Sequence, residues 1–136
     1  MSQETPSSAW SGPTNPHDST IEGISAVTLC TTDMARALRF YCALGCEVVF
    51  GDAQAPFVSL RAGAGFVNLT LRPPPAGFWG RVILYVGNVD AMHARACAAG
   101  YTPLTAPADA PWGERYFHLR DPDGNELSFA RPLGVR

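Results

Sequence analysis

The chain has 136 residues, a mass of 14.5 kDa and a net charge of −2, with 46% hydrophobic and 16% charged residues. The length fits one globular domain, and the composition is too apolar for a disordered chain. The charge balance offers no basic stripe for nucleic acid. No apolar run approaches the roughly 18–20 residues that cross a bilayer. We therefore expect a cytoplasmic protein with no nucleic-acid or membrane partner.

The basic residues and the cysteines further limit the reactions that this chain can catalyse. All ten basic residues are arginines, which excludes lysine reactions such as Schiff-base formation. The four cysteines form no C-x-x-C pair, and no secretory signal precedes them. We expect free, reduced thiols.

Residues 1–20 are rich in Ser, Thr, Pro, Asn and Gly and have no apolar period. This composition predicts a flexible N-terminal arm. The single folded domain is expected over residues 21–136.

The first half of that domain predicts a βαβββ unit. Val27 and Leu29 lie in a short strand-like run, and Asp33 is a helix N-cap signal. Apolar residues then recur at helical spacing until Gly45, which is placed to end the helix. Three strand-like runs follow, at residues 47–50, 57–61 and 66–72.

The second half repeats this scheme after a proline-rich linker at residues 73–79. A strand is predicted at residues 81–86, and Asn88 begins a helix that runs to Gly100. Further strands are predicted at Tyr101–Leu104, Arg115–Arg120 and Glu126–Arg131.

The two halves align at a constant shift of 55 residues. Val27 falls on Val82, Asp33 on Asn88 and Gly45 on Gly100. The internal repeat predicts an α+β fold of two tandem βαβββ modules, at about 23–72 and 80–132. Each helix covers one sheet face, so the other faces form a half-barrel cleft, within one chain or between two. Period-two alternation places Ala26, Thr28 and Cys30 on the cleft side of the first strand.

Two further motifs carry a family resemblance. The segment Pro111-Trp112-Gly113 precedes the predicted hairpin Asp121-Pro122-Asp123-Gly124-Asn125. With the repeat, these residues resemble the vicinal oxygen chelate superfamily of glyoxalases, extradiol dioxygenases and fosfomycin- and bleomycin-resistance proteins, over residues 21–132. The Pro-Trp-Gly stretch is most similar to the metal-free bleomycin-resistance branch.

The resemblance also implies where a metal would bind. Enzymes of the superfamily typically use a His on the first strand of each module and a Glu on the last strand. Those positions hold Ala26, Arg81 and Ser128, with Asn68 or Thr70 as the first-module counterpart of Ser128. None is a good ligand for a divalent transition metal. Of the three histidines only His118 faces the cleft, so we expect neither a metal nor another cofactor.

The resemblance and the cleft residues together predict a metal-free small-molecule-binding protein that sequesters an antibiotic or an aromatic metabolite. Branch members form dimers, so a homodimer is expected. The alternative is a lyase, isomerase or dioxygenase with a relocated metal site. The predicted ligand-binding residues are Thr28, Asn68, Arg81, Tyr85, Trp112, Tyr116, His118, Arg120 and Ser128.

Several of these residues have two interpretations. Trp112 could be a stacking lid over a planar ligand or a plug at the barrel edge. His118 could be a general base, or a structural residue bonded to Ser59 or Glu126. Arg81 could bind a ligand anion or pair with Glu126. Cys30 could act as a nucleophile only with a base beside it, which leaves His118 and Cys30 as outlying catalytic candidates.

Overall fold

The structure is a computed structural model that describes Ser19 and residues 21–134. The predicted arm therefore lies almost wholly outside the described residues. The elements are, in chain order, β1 (Ala26–Thr31), α1 (Met34–Ala43), β2 (Glu47–Phe50), β3 (Phe57–Ala62), β4 (Gly65–Leu71), β5 (Arg81–Tyr85), α2 (Val89–Ala98), β6 (Ala108–Asp109), β7 (Glu114–Arg120) and β8 (Glu126–Pro132).

The strands form two open four-stranded sheets of the same topology. The first sheet has the order β1-β4-β3-β2, and the second has the order β5-β8-β7-β6. In each sheet the first strand pairs in parallel with the last, and the other pairings are antiparallel. The predicted α+β fold with two βαβββ units is confirmed.

Both helices begin and end where the sequence predicts. The side chains of Asp33 and Asn88 cap the N-termini by accepting from the N–H groups of Arg36 and Ala91. Gly45 (φ 105°) and Gly100 (φ 93°) follow the C-termini in the left-handed region that favours glycine. Among the described residues, no helix is long and apolar enough to cross a bilayer.

One predicted strand is wrong. Residues Tyr101–Leu104 are not a strand, and the edge of the second sheet is instead the short β6, in a segment for which no strand is predicted. Pro103 has no N–H to donate to a ladder. One strand-like contact survives, because the Leu104 N–H donates to the His118 carbonyl at 2.8 Å.

The core lies between the sheets and the helices, on the faces that period-two alternation assigns to it. Leu29, Val82, Phe117 and Leu127 are all buried and belong to one cluster that includes residues of both modules. The opposite faces of the two sheets carry the candidate site residues.

The hairpin between β7 and β8 joins the second module to the first. The buried carboxylate of Asp121 accepts from the Tyr41 hydroxyl at 2.6 Å and from the Asn125 backbone N–H at 2.9 Å. Asp123 accepts from the Thr31 hydroxyl at 2.5 Å and pairs with Arg36 at 2.6 Å. Both aspartates therefore have structural roles in the predicted hairpin.

Candidate functional site

The outer face of the second sheet gathers most of the predicted site residues. The strand register places them in three rows across β5, β8 and β7. The rows are Arg81–Glu126–Arg120, Ile83–Ser128–His118 and Tyr85–Ala130–Tyr116. We call this surface the open face of the second sheet. Trp112 precedes β7 and extends the surface beyond the third row.

Three rings form a continuous aromatic strip along β7. The ring centroids of Trp112 and Tyr116 are 5.6 Å apart, and those of Tyr116 and His118 are 5.0 Å apart. Trp112 is 67% exposed, which does not fit a plug that closes the barrel edge. Its indole N–H donates to Glu114 at 3.1 Å, and the Tyr85 hydroxyl donates to the same carboxylate. The strip is therefore a stacking surface that hydrogen bonds fix in place and that is exposed at Trp112.

The charged row Arg81–Glu126–Arg120 lies at the other end of the open face. Arg81 donates from Nε (3.0 Å) and Nη2 (2.7 Å) to Oε1 of Glu126, which is the ion pair named in one of its two interpretations. This hydrogen bond is the main cause that lowers the pKa of Glu126. Nη2 of Arg120 lies 3.7 Å from the other carboxylate oxygen of Glu126, which is a longer contact.

His118 is the ring of the aromatic strip that lies next to this charged row. Burial lowers the pKa of its imidazole, and the charge of Arg81 lowers it further, while Glu126 acts in the opposite direction. The imidazole is therefore neutral near pH 7. Nδ1 is buried and has no hydrogen-bond partner among the described residues.

The first sheet carries the remaining predicted residues on its own outer face. Thr28 and Asn68 are register partners, and the Asn68 amide donates to the Thr28 hydroxyl at 3.3 Å. Cys30 is a half-buried free thiol on the same strand. Within the described residues, no hydrogen bond or ion pair links these groups to the aromatic strip. The structure thus splits the predicted set between the two sheets.

The residues at the expected metal positions do not fit a metal ion. The register pairs Thr28 with Asn68 and Ile83 with Ser128, which identifies Asn68 as the counterpart of Ser128. Ala26 has no donor atom, Arg81 is a cation paired with Glu126, and Ser128 offers only a neutral, buried hydroxyl. Residues 21–134 contain no group of three His, Cys, Asp or Glu side chains that could hold a metal ion.

Some features of the site were not predicted. Glu114 anchors Trp112 and Tyr85, and Phe78 lies under the Arg81 guanidinium at 5.8 Å. Cavities of about 460 and 410 Å³ lie where the modules meet and beside the edges of β1 and β5. No local sequence signal marks these features, because they bring together residues from separate elements.

Comparisons with known proteins agree with this architecture. A sequence model of the Glyoxalase/Bleomycin resistance protein/Dioxygenase superfamily matches residues 23–129. An uncharacterized protein of Mycobacterium bovis is 44% identical over 50 residues, which is 37% of this chain and 33% of that protein. The chain therefore spans about a third of the length of this curated relative.

Two solved structures share the fold along nearly their whole length. TioX from Micromonospora sp. ML1 is 26% identical and superposes with a TM-score of 0.69 over 82% of this chain and 100% of that one. A bleomycin-binding protein, solved in complex with bleomycin, is 23% identical with a TM-score of 0.68 over 83% of this chain and 100% of that one.

Proposed function

Because the chain belongs to the glyoxalase/bleomycin resistance protein/dioxygenase superfamily, we propose that it is a metal-free binding protein for a planar aromatic small molecule. The observation that carries the proposal is the exposed aromatic strip on the second sheet. Sequestration of an antibiotic or an aromatic metabolite needs such a surface and no reactive group. The structural neighbour solved with bleomycin supports a binding role for this fold.

The side chains of the site support binding rather than catalysis. The aromatic rings supply stacking area, and the hydroxyl and amide groups supply hydrogen bonds, as in typical small-molecule sites. The expected metal positions Ala26, Arg81 and Ser128 supply no good ligand for a divalent transition metal. Among the described residues, no hydrogen bond or ion pair links the Cys30 thiol to a histidine or carboxylate side chain that could activate it.

A second copy of the chain would complete the site. Ile83 (61% exposed) and Tyr85 (63% exposed) leave an apolar area uncovered beside the strip. In a homodimer the outer face of the first sheet of one subunit would cover the open face of the second sheet of its partner. The ligand would be enclosed between these two surfaces. This arrangement brings Thr28 and Asn68 of one subunit to the strip of the other. We place the protein in the cytoplasm, where its free cysteines stay reduced.

Calorimetric titration with a panel of planar aromatic compounds tests the proposal. We expect at least one compound to bind in the micromolar range and Trp112→Ala to weaken its binding about 5-fold, since stacking on an exposed ring contributes about 1 kcal/mol. Leu71→Ala is the control, because Leu71 is an exposed apolar side chain (49%) on the first sheet, on the face opposite to Thr28 and Asn68. Failure of the whole panel, or equal losses in the two variants, would overturn the proposal.

A further inference from the structure

We infer that the ligand is an aromatic anion, and that Arg120 binds its carboxylate or a comparable oxyanion at one end of the aromatic strip. The inference rests on the proposed function and deepens it by naming the class of ligand and its orientation. Three observations carry it: the excess charge of the row, the weak engagement of Arg120 and the space in front of that residue.

The charged row carries one more cation than it has anions. Arg81 and Arg120 both face the single carboxylate of Glu126. His118, the nearest titratable neighbour on β7, is neutral near pH 7 because its pKa is lowered. The row therefore holds a net positive charge that an anionic group of the ligand would balance.

The two arginines are engaged to different degrees. Arg81 makes two short bonds to Glu126 and packs over the Phe78 ring, so its guanidinium is committed to the fold. Arg120 has a side chain that is 56% exposed, and its contact with Glu126, at 3.7 Å, is too long for a hydrogen bond. Its fork of N–H groups can turn to a carboxylate without breaking the Arg81 pair.

A cavity of about 290 Å³ lies directly against Arg120. Phe78, Trp79 and Glu126 also line it, and its remaining walls are glycines 77, 80 and 124. A Cβ added at any of these glycines would meet no atom within 4 Å, so the space extends over the backbone. The cavity therefore has room for an oxyanion beside the Arg120 guanidinium.

The strip and the cavity are spaced for one ligand. Tyr116, His118 and Arg120 are alternate residues of β7, so they follow one another at about 6.8 Å. A fused two-ring system that lies on Tyr116 and His118 brings its carboxylate to Arg120. The opposite end of the strip holds the carboxylate of Glu114, which would repel an anion and so fixes the orientation.

Three compounds of equal shape and different charge test the inference by calorimetry. They are 2-naphthoate, the neutral 2-naphthamide and the cationic 2-naphthylmethylammonium. We expect the wild-type protein to bind the naphthoate about 10-fold more tightly than the amide, since a charge-assisted hydrogen bond favours the anion by this order. The cation should bind most weakly.

Arg120→Gln should remove the preference for the naphthoate and leave binding of the amide within about 2-fold of the wild type. Arg120→Lys keeps the charge and should retain part of the preference. Arg39→Gln is the matched control, because Arg39 is exposed on α1, which packs on β4 and β2 of the first sheet, and its removal should change nothing.

The outcomes separate the inference from the proposed function. Equal binding of naphthoate and amide, or an unchanged preference in Arg120→Gln, would overturn the inference while aromatic binding stands. Binding of none of the three compounds would count against both. A preference for the cation would reverse the orientation and overturn the inference.

Discussion

The hydroxyl of Tyr41 provides the sharpest test of how the two modules are joined. It is buried (1% exposed) and donates at 2.6 Å to Asp121, whose side chain receives two further bonds from Asn125 and one from the Asp123 N–H. Tyr41→Phe removes that donor without creating a cavity. A hydrogen bond to a charged group contributes about 1.5–3 kcal/mol, so we expect the variant to lose about 2 kcal/mol of unfolding free energy.

The same substitution has a predicted pH dependence. Burial raises the pKa of Asp121, and the Tyr41 bond opposes that rise by favouring the ionised form. A carboxyl whose folded pKa is raised destabilises the fold once it ionises, so this cost is absent at acid pH and present at neutral pH. The deficit of Tyr41→Phe should therefore be largest near pH 7 and should shrink on acidification.

Urea denaturation between pH 4 and pH 7 measures this deficit. Tyr116→Phe is the control, because no hydrogen bond to its hydroxyl is found among the described residues, and it should change stability by less than about 0.5 kcal/mol. A loss in Tyr41→Phe no larger than in the control, or a loss that grows on acidification, would refute the role given to this hydrogen bond.

Three further predictions concern local features of the fold and the site. Gly45→Ala should cost about 1 kcal/mol in urea denaturation, because φ is +105° and the added Cβ would lie 3.3 Å from Arg95; Gly87→Ala, with open space around it, should cost less than half of that. Glu126 has a lowered pKa, so it adds stability above its unfolded pKa that is lost as the pH falls through the folded one. Glu126→Gln should reduce the loss of unfolding free energy on acidification, measured by urea denaturation at several pH values. An unchanged loss would contradict the pairing with Arg81. The pKa of His118 should lie below 6.5 by NMR titration and should rise in Arg81→Gln, since Arg81 helps to lower it.

The sequence predicts the elements well where one local rule determines them. The caps at Asp33 and Asn88, the terminal glycines and the alternation around Leu29 and Phe117 depend on neighbouring residues alone, and the structure confirms them. The prediction of a strand at Tyr101–Leu104 is wrong because pairing with a neighbouring strand determines whether a strand forms there. Pro103 has no N–H group to donate to such a pairing.

The site is less predictable for a physical reason. Alternation identifies which residues of β7 share a face, so Tyr116, His118 and Arg120 are found from the sequence. The commitment of Arg81 to Glu126 was one of two open alternatives, and only the side-chain geometry distinguishes them. The role of Glu114 and the cavity beside Arg120 depend on contacts between distant segments, for which the sequence carries no periodic signal.

The proposed function requires this chain to bind its ligand without a metal ion. Mass spectrometry of the metal content per chain tests this requirement most directly, on protein without a histidine tag made in metal-replete medium. We expect a content near zero for every divalent transition metal, because Ala26, Arg81 and Ser128 supply no suitable ligands. About one tightly held ion per chain would contradict the proposed function and would favour a lyase, isomerase or dioxygenase with a relocated metal site.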